Sequence, residues 1–92
     1  VILGILEIRV SLPTHSLKEK RSIINSLKEK LRHSFNVAVA EIDELDNYKF
    51  STLAIVTVSN NGNKVEEILS KIENYIFENH SLDVVEIKKE VL

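Results

Sequence analysis

The sequence predicts an α+β domain in which a four-stranded antiparallel sheet carries two helices on one face. Three observations predict it. Hydrophobic alternation of period two marks Ile2–Leu12 as a strand. A capped amphipathic segment of period 3.6 follows at His15–Arg32. Two further strand-like stretches, a second amphipathic stripe and a last strand then complete the order βαββαβ, which is the ferredoxin-like plait.

In the first strand Ile2, Leu6, Ile8, Val10 and Leu12 alternate with Leu3, Ile5, Glu7 and Arg9. The first set faces the helices, and Gly4 on that face lets a helix approach the backbone. Pro13 ends the strand, because it has no N–H to give to a ladder. Ser16 and Glu19 have capping-box spacing, which starts a helix over 17–33. Its buried stripe is Leu17, Ile23, Ile24, Leu27 and Leu31. Phe35–Ile42, β-branched and Ala-rich, is the second strand. The polar run Asp43–Asn47 is a turn, and Tyr48–Ser59 is the third strand.

Asn60–Asn63 is a loop in which Asn63 and Glu66 repeat the cap spacing. Val65, Ile68, Leu69, Ile72 and Ile76 form the stripe of the second helix, and Asn79 suits a left-handed C-cap. Leu82–Val91 is an edge strand, protected by Glu86, Lys88, Lys89 and Glu90.

Composition bounds the rest. Residues 1–92 form one domain, with 43% hydrophobic and 28% charged residues, which is ordinary for a soluble globular protein. Without cysteine there is no disulfide, thiolate zinc site or cysteine nucleophile. No apolar run has the length of a membrane span and no signal peptide is seen, so a cytoplasmic location without a membrane partner is expected.

The first helix is the most unusual segment. Lys18, Arg21, Asn25, Lys28 and Arg32 share a second face beside the buried stripe. Segment 15–33 holds six Lys and Arg against Glu19 and Glu29, a net of +4 in a chain of net −2, so the remainder sums to −6. Lys20 falls over the middle of the apolar face, where it either snorkels around the sheet edge or points into a cleft at the helix N-terminus. His15, Lys18, Lys20, Arg21, Lys28 and Arg32 are therefore the candidate RNA- or anion-binding residues. The plain alternative is a solvated helix face, but such faces usually mix signs and this stripe contains no carboxylate.

The other face of the sheet is open. Leu3, Ile5, Leu53 and Ile55 are its expected aliphatic patch, of the kind that marks self-association or a partner. The alternative phase points Leu53 and Ile55 at the helices.

No catalytic constellation emerges, and the expectation is a non-enzyme without cofactor or metal. Base stacking of the RNA-recognition-motif type needs aromatics on both central strands, and the first strand has none. An acylphosphatase-type phosphate loop needs Gly, which LPTHSLKEKR lacks, although His15, Lys18 and Arg21 still offer an anion site at a helix N-terminus. His15, His33 and His80 lack metal-ligand spacing. Glu41 and Asp43 share one face of a strand end and read as solvated.

HSLKEKRS, FNVAVAE and TLAIVTVSNN together resemble the YlxP-like family of small bacterial proteins, a domain of unknown function. The resemblance covers nearly the whole chain and implies a ferredoxin-like fold. Genes of that family often lie beside those for ribosome-maturation and translation-initiation factors, which implies a role near RNA or the ribosome. His15, Ser16, Lys18, Lys20, Arg21, Ser22, Glu41, Ser59 and Asn60 match the family motif by position. Where the family has a Trp-containing turn this chain has LDNYKFST, with Tyr48 nearest the Trp position.

Two functions follow as expectations. One is a non-enzymatic RNA- or ribosome-associated module using the basic helix. The other is a homodimeric protein-interaction module using the open sheet face. An anion-binding enzyme at the turn before the helix is a third.

Overall fold

The computed structural model describes residues 1–92. Its elements are β1 (Ile2–Ser11), α1 (Leu17–Ser34), β2 (Ala38–Asp43), β3 (Phe50–Ser59), α2 (Gly62–Phe77) and β4 (Asp83–Val91). All strand pairs are antiparallel and the sheet order is β2-β3-β1-β4. Both helices pack on one face in a single core, so the fold is the ferredoxin-like plait.

Register decides which side chains meet the helices. Leu6 pairs with Ile55 and Ile8 with Leu53, and all four have no solvent exposure. With Val10, Val39, Ile24, Leu27, Leu31, Val65, Leu69, Ile72 and Ile76 they make the core. The placement of Leu53 and Ile55 on the open face is thereby corrected: they face the helices. Leu3 and Ile5 do lie on the open face, opposite Val58 and Val56. Both phases of β3 are apolar, so alternation alone does not tell its two faces apart.

Gly4 sits under α2. A Cβ there would fall 2.5 Å from Val65 Cγ1 and 3.0 Å from Leu69 Cδ1. Val65 is β-branched and stiff in a helix, so it cannot swing clear. Gly4→Ala is expected to cost about 1–3 kcal/mol by overpacking, read as a lower urea midpoint at unchanged slope.

The caps hold with changes. Ser16 is the N-cap of α1 and its Oγ accepts the Glu19 N–H at 3.2 Å. The return bond from the Glu19 carboxylate is not formed. α2 begins earlier than expected: Asn61, not Asn63, is its cap, and Asn61 Oδ1 accepts from the N–H groups of Asn63 (3.0 Å) and Lys64 (3.3 Å). At the other end Glu78 is a right-handed C-cap. Asn79 has no left-handed φ and instead accepts the Ser81 N–H at 2.8 Å.

Two strands start later than alternation suggests. Phe35 gives its N–H to Leu31 as the cap of α1 and packs its ring edge-on to Tyr75. Asn47 Oδ1 accepts the N–H groups of Lys49 and Phe50, which holds the chain in a turn until β3 begins.

Candidate functional site

A cation in the middle of an apolar helix face must find partners, or its burial costs several kcal/mol. Lys20 finds one for each of its three N–H bonds. Its Nζ lies 2.9 Å from Glu41 Oε2 and donates to the carbonyls of Glu44 (2.6 Å) and Asn47 (2.5 Å). The same Glu41 oxygen accepts the Ser51 hydroxyl at 2.7 Å. Lys20 and Ser51 are completely buried. Lys20 therefore leaves the candidate RNA- or anion-binding set, because it has neither exposure nor a free donor.

This network holds the 43–49 connection. Glu44 has φ 61°, the one non-glycine residue in the left-handed region, a conformation that costs about 1–3 kcal/mol. It is clamped from both sides of the sheet. Its carbonyl accepts from Lys20 and from the Asn47 N–H (3.1 Å), while its carboxylate takes Arg9 Nε at 2.6 Å and Nη2 at 3.3 Å. Arg9 lies over the Phe50 ring, 4.2 Å from its centroid, and the Glu44 hydrogen bond raises the guanidinium pKa above its ordinary value. The Thr14 hydroxyl donates to the Tyr48 carbonyl, and the Leu12 N–H to that of Lys49 at 2.7 Å.

Glu41 and Asp43 do not share a face, which corrects the expectation. A bulge between them sends Glu41 inward to Lys20 and leaves Asp43 beside Arg9 on the open face. Sequence reasoning missed Arg9, Glu44, Thr14 and Ser51. The available signal was Lys20 itself, since a lysine centred on a buried stripe demands acceptors.

The remaining helix cations form the exposed candidate surface. Five ion pairs occupy Arg9, Lys20, Lys71, Lys88 and Lys89. Of the seven Lys and Arg without a carboxylate partner, five stand on α1: Lys18, Arg21, Lys28, Lys30 and Arg32. Lys18, Arg21 and Arg32 are exposed and Lys28 is half-buried. Arg32 Nη2 donates to the Val39 carbonyl at 3.0 Å, so this flank of α1 runs along the β2 edge and covers part of it. His15 is exposed in the turn before the helix.

The open face of the sheet divides in two. One end is apolar, with Leu3, Ile5, Ala54 and Val56 half-buried and Val58 exposed. At the other end Glu7, Arg9, Asp43, Glu44, Glu86 and Lys88 line a shallow concavity of about 410 Å³ without an apolar residue. No group of three His, Cys, Asp or Glu side chains has metal-binding geometry. No helix is long and apolar enough to cross a membrane.

Of the nine residues placed in the family motif, four serve as scaffold. Ser16 caps α1, Lys20 and Glu41 pair in the interior, and Ser59 Oγ accepts the Asn61 N–H at 3.2 Å. Lys18, Arg21, Ser22 and Asn60 are exposed.

Comparison with known proteins bears on the family and the fold. The uncharacterized protein YlxP of Bacillus subtilis (strain 168) is 30% identical over 61 residues, 66% of this chain and 66% of its own. Two designed proteins share the fold at low identity. The design LFR1 1, with a ferredoxin fold, superposes with a TM-score of 0.65 at 12% identity, covering 99% of this chain and 85% of its own. Foldit4 does so with a TM-score of 0.54 at 16% identity, covering 98% and 96%. The family model described as "Protein of unknown function (DUF503)" matches residues 3–89, and the chain belongs to that family.

Proposed function

We propose that the protein is a non-enzymatic binding module that grips the phosphate backbone of RNA with the exposed flank of α1. The observation that carries this reading is the segregation of unpaired cations onto one helix of an otherwise acidic chain. Lys18, Arg21 and Lys28 meet phosphates directly, Arg32 with the donors left after Val39, and His15 at the helix N-terminus. Contacts of this kind set position and orientation without reading sequence. The acidic remainder of the surface repels nucleic acid elsewhere and so orients the encounter. The gene neighbourhood implied by the family resemblance supports an RNA or ribosomal partner.

The test is anisotropy binding of ribosomal RNA fragments at low salt. Arg21→Glu/Lys28→Glu is expected to weaken binding at least tenfold while the melting temperature moves by no more than a few degrees, since neither residue is in the core. Wild-type affinity in that variant contradicts the reading.

A second reading uses the opposite side of the molecule. The apolar end of the open face, Leu3, Ile5, Val56 and Val58, suits a homodimer contact. Ile5→Asp is then expected to convert a dimer to a folded monomer in sedimentation, and a monomeric wild type at high concentration contradicts it.

A further inference from the structure

We infer that the free edge of β4 binds a second copy of this chain, the two β4 strands pairing antiparallel about a two-fold axis through Lys89. This surface is separate from the cationic flank of α1 and from the apolar end of the open face.

The sheet has two edges, β2 and β4, and they differ. β2 is short, carries a bulge and has its Val39 carbonyl taken by Arg32. β4 pairs with β1 without a break from Glu86 to Val91, and Leu92 extends the ladder by exchanging both backbone bonds with Leu3, at 2.8 and 2.9 Å. Bonding alternates along an antiparallel strand. Glu86, Lys88, Glu90 and Leu92 therefore turn their backbone groups to β1, while Ile87, Lys89 and Val91 turn theirs outward. Val91 and Leu92 also expose their side chains. Such a row of free donors and acceptors is a template for another strand.

The register follows from faces, the bulge and charge. Opposed residues must share a face of the joined sheet, so the axis passes through a residue and not between two. An axis through Glu86 or Ile87 runs both copies into the bulge at Val84–Glu86. An axis through Lys88 opposes Lys88 to itself and Glu86 to Glu90, and one through Glu90 opposes that carboxylate to itself. Like charges directly opposite are destabilising.

An axis through Lys89 avoids the bulge and pairs Glu86–Leu92 of each copy. Lys88 then stands opposite Glu90 twice on the open face, and Ile87 opposite Val91 twice on the helix face. The remaining opposition is Lys89 to Lys89, where each ammonium turns back to Glu66 on its own α2 at 3.3 Å. Charges on an edge strand ordinarily keep other strands away. Lys88 and Glu90 admit this one, because a reversed copy presents the same two charges in the opposite order. The product is one continuous sheet with the helices of both copies on the same side.

Sedimentation equilibrium of the full chain tests the pairing, and the wild type is expected to dimerise. Lys88→Glu leaves carboxylates at both positions and Glu90→Lys leaves ammonium groups at both, so each variant opposes only like charges when it pairs with itself. Each is expected to weaken the dimer roughly tenfold or more. An equimolar mixture of the two is expected to form a heterodimer of near wild-type affinity, since every acid then faces a base. That recovery also shows that both variants are folded.

A wild type that stays monomeric at millimolar concentration overturns the inference. So do single variants that dimerise as tightly as wild type, or a mixture no tighter than its components. A dimer lost in Ile5→Asp but kept in both charge variants belongs to the open face and likewise overturns it.

Discussion

Lys20→Met is expected to destabilise the domain by about 3–5 kcal/mol, the usual cost of removing one partner from a buried ion pair. Methionine fills much of the same space, so the loss comes from what it cannot donate. Glu41 keeps only the Ser51 hydroxyl, and the carbonyls of Glu44 and Asn47 lose their buried donor. The left-handed turn at Glu44 then keeps the Asn47 N–H on its carbonyl and Arg9 on its carboxylate, but has no donor from the helix side. Urea unfolding reads the loss directly, and hydrogen exchange should show it first in 43–49. Lys20→Met/Glu41→Leu should recover part of the stability, because it removes both charges rather than one. A loss below about 1 kcal/mol in the single variant would contradict a closed network, since that is the range of exposed pairs.

Leu53→Asp is expected to abolish folding. The side chain is completely buried opposite Ile8, with aliphatic neighbours in the core. Truncating a leucine in such a place costs about 2–5 kcal/mol, and burying an unpaired carboxylate adds to it. The sum competes with the whole stability of a small domain, about 5–15 kcal/mol. Ile5→Asp, on the open face, is expected to cost less than about 2 kcal/mol and to leave a cooperative melt. Circular dichroism of the two variants separates the faces of the sheet. A folded Leu53→Asp beside an unfolded Ile5→Asp would reverse the register of β1 and β3.

These two residues also show what sequence reasoning reached and where it stopped. Element order came from local patterns: the alternation of β1, the Ser16 cap and the stripe of α2 are each written in a few consecutive residues. The phase of β3 is not local. Leu53 and Ile55 alternate with Ala54 and Val56, both sets being apolar, and only pairing with Leu6 and Ile8 across the sheet selects the inner one.

The same limit applies at Lys20. Its position on the apolar face is a property of one helix and is visible in the wheel. Its partner Glu41 lies on another element, where a bulge resets the alternation that made Glu41 and Asp43 look alike. The cationic flank was legible because it belongs to a single helix. Its lack of carboxylate partners depends on where every Asp and Glu of the fold ends up.

The central claim is that α1 is an electrostatic footprint, and the salt dependence of ribosomal RNA binding tests it most directly. Affinities of wild type and Arg21→Glu/Lys28→Glu are measured across a salt series and plotted log against log. The wild-type slope should correspond to several released counterions, and the variant slope should be shallower by roughly 0.7–0.9 for each phosphate that is no longer neutralised. Parallel slopes, or no wild-type binding at low salt, would contradict the claim and make the cationic flank a solvated surface.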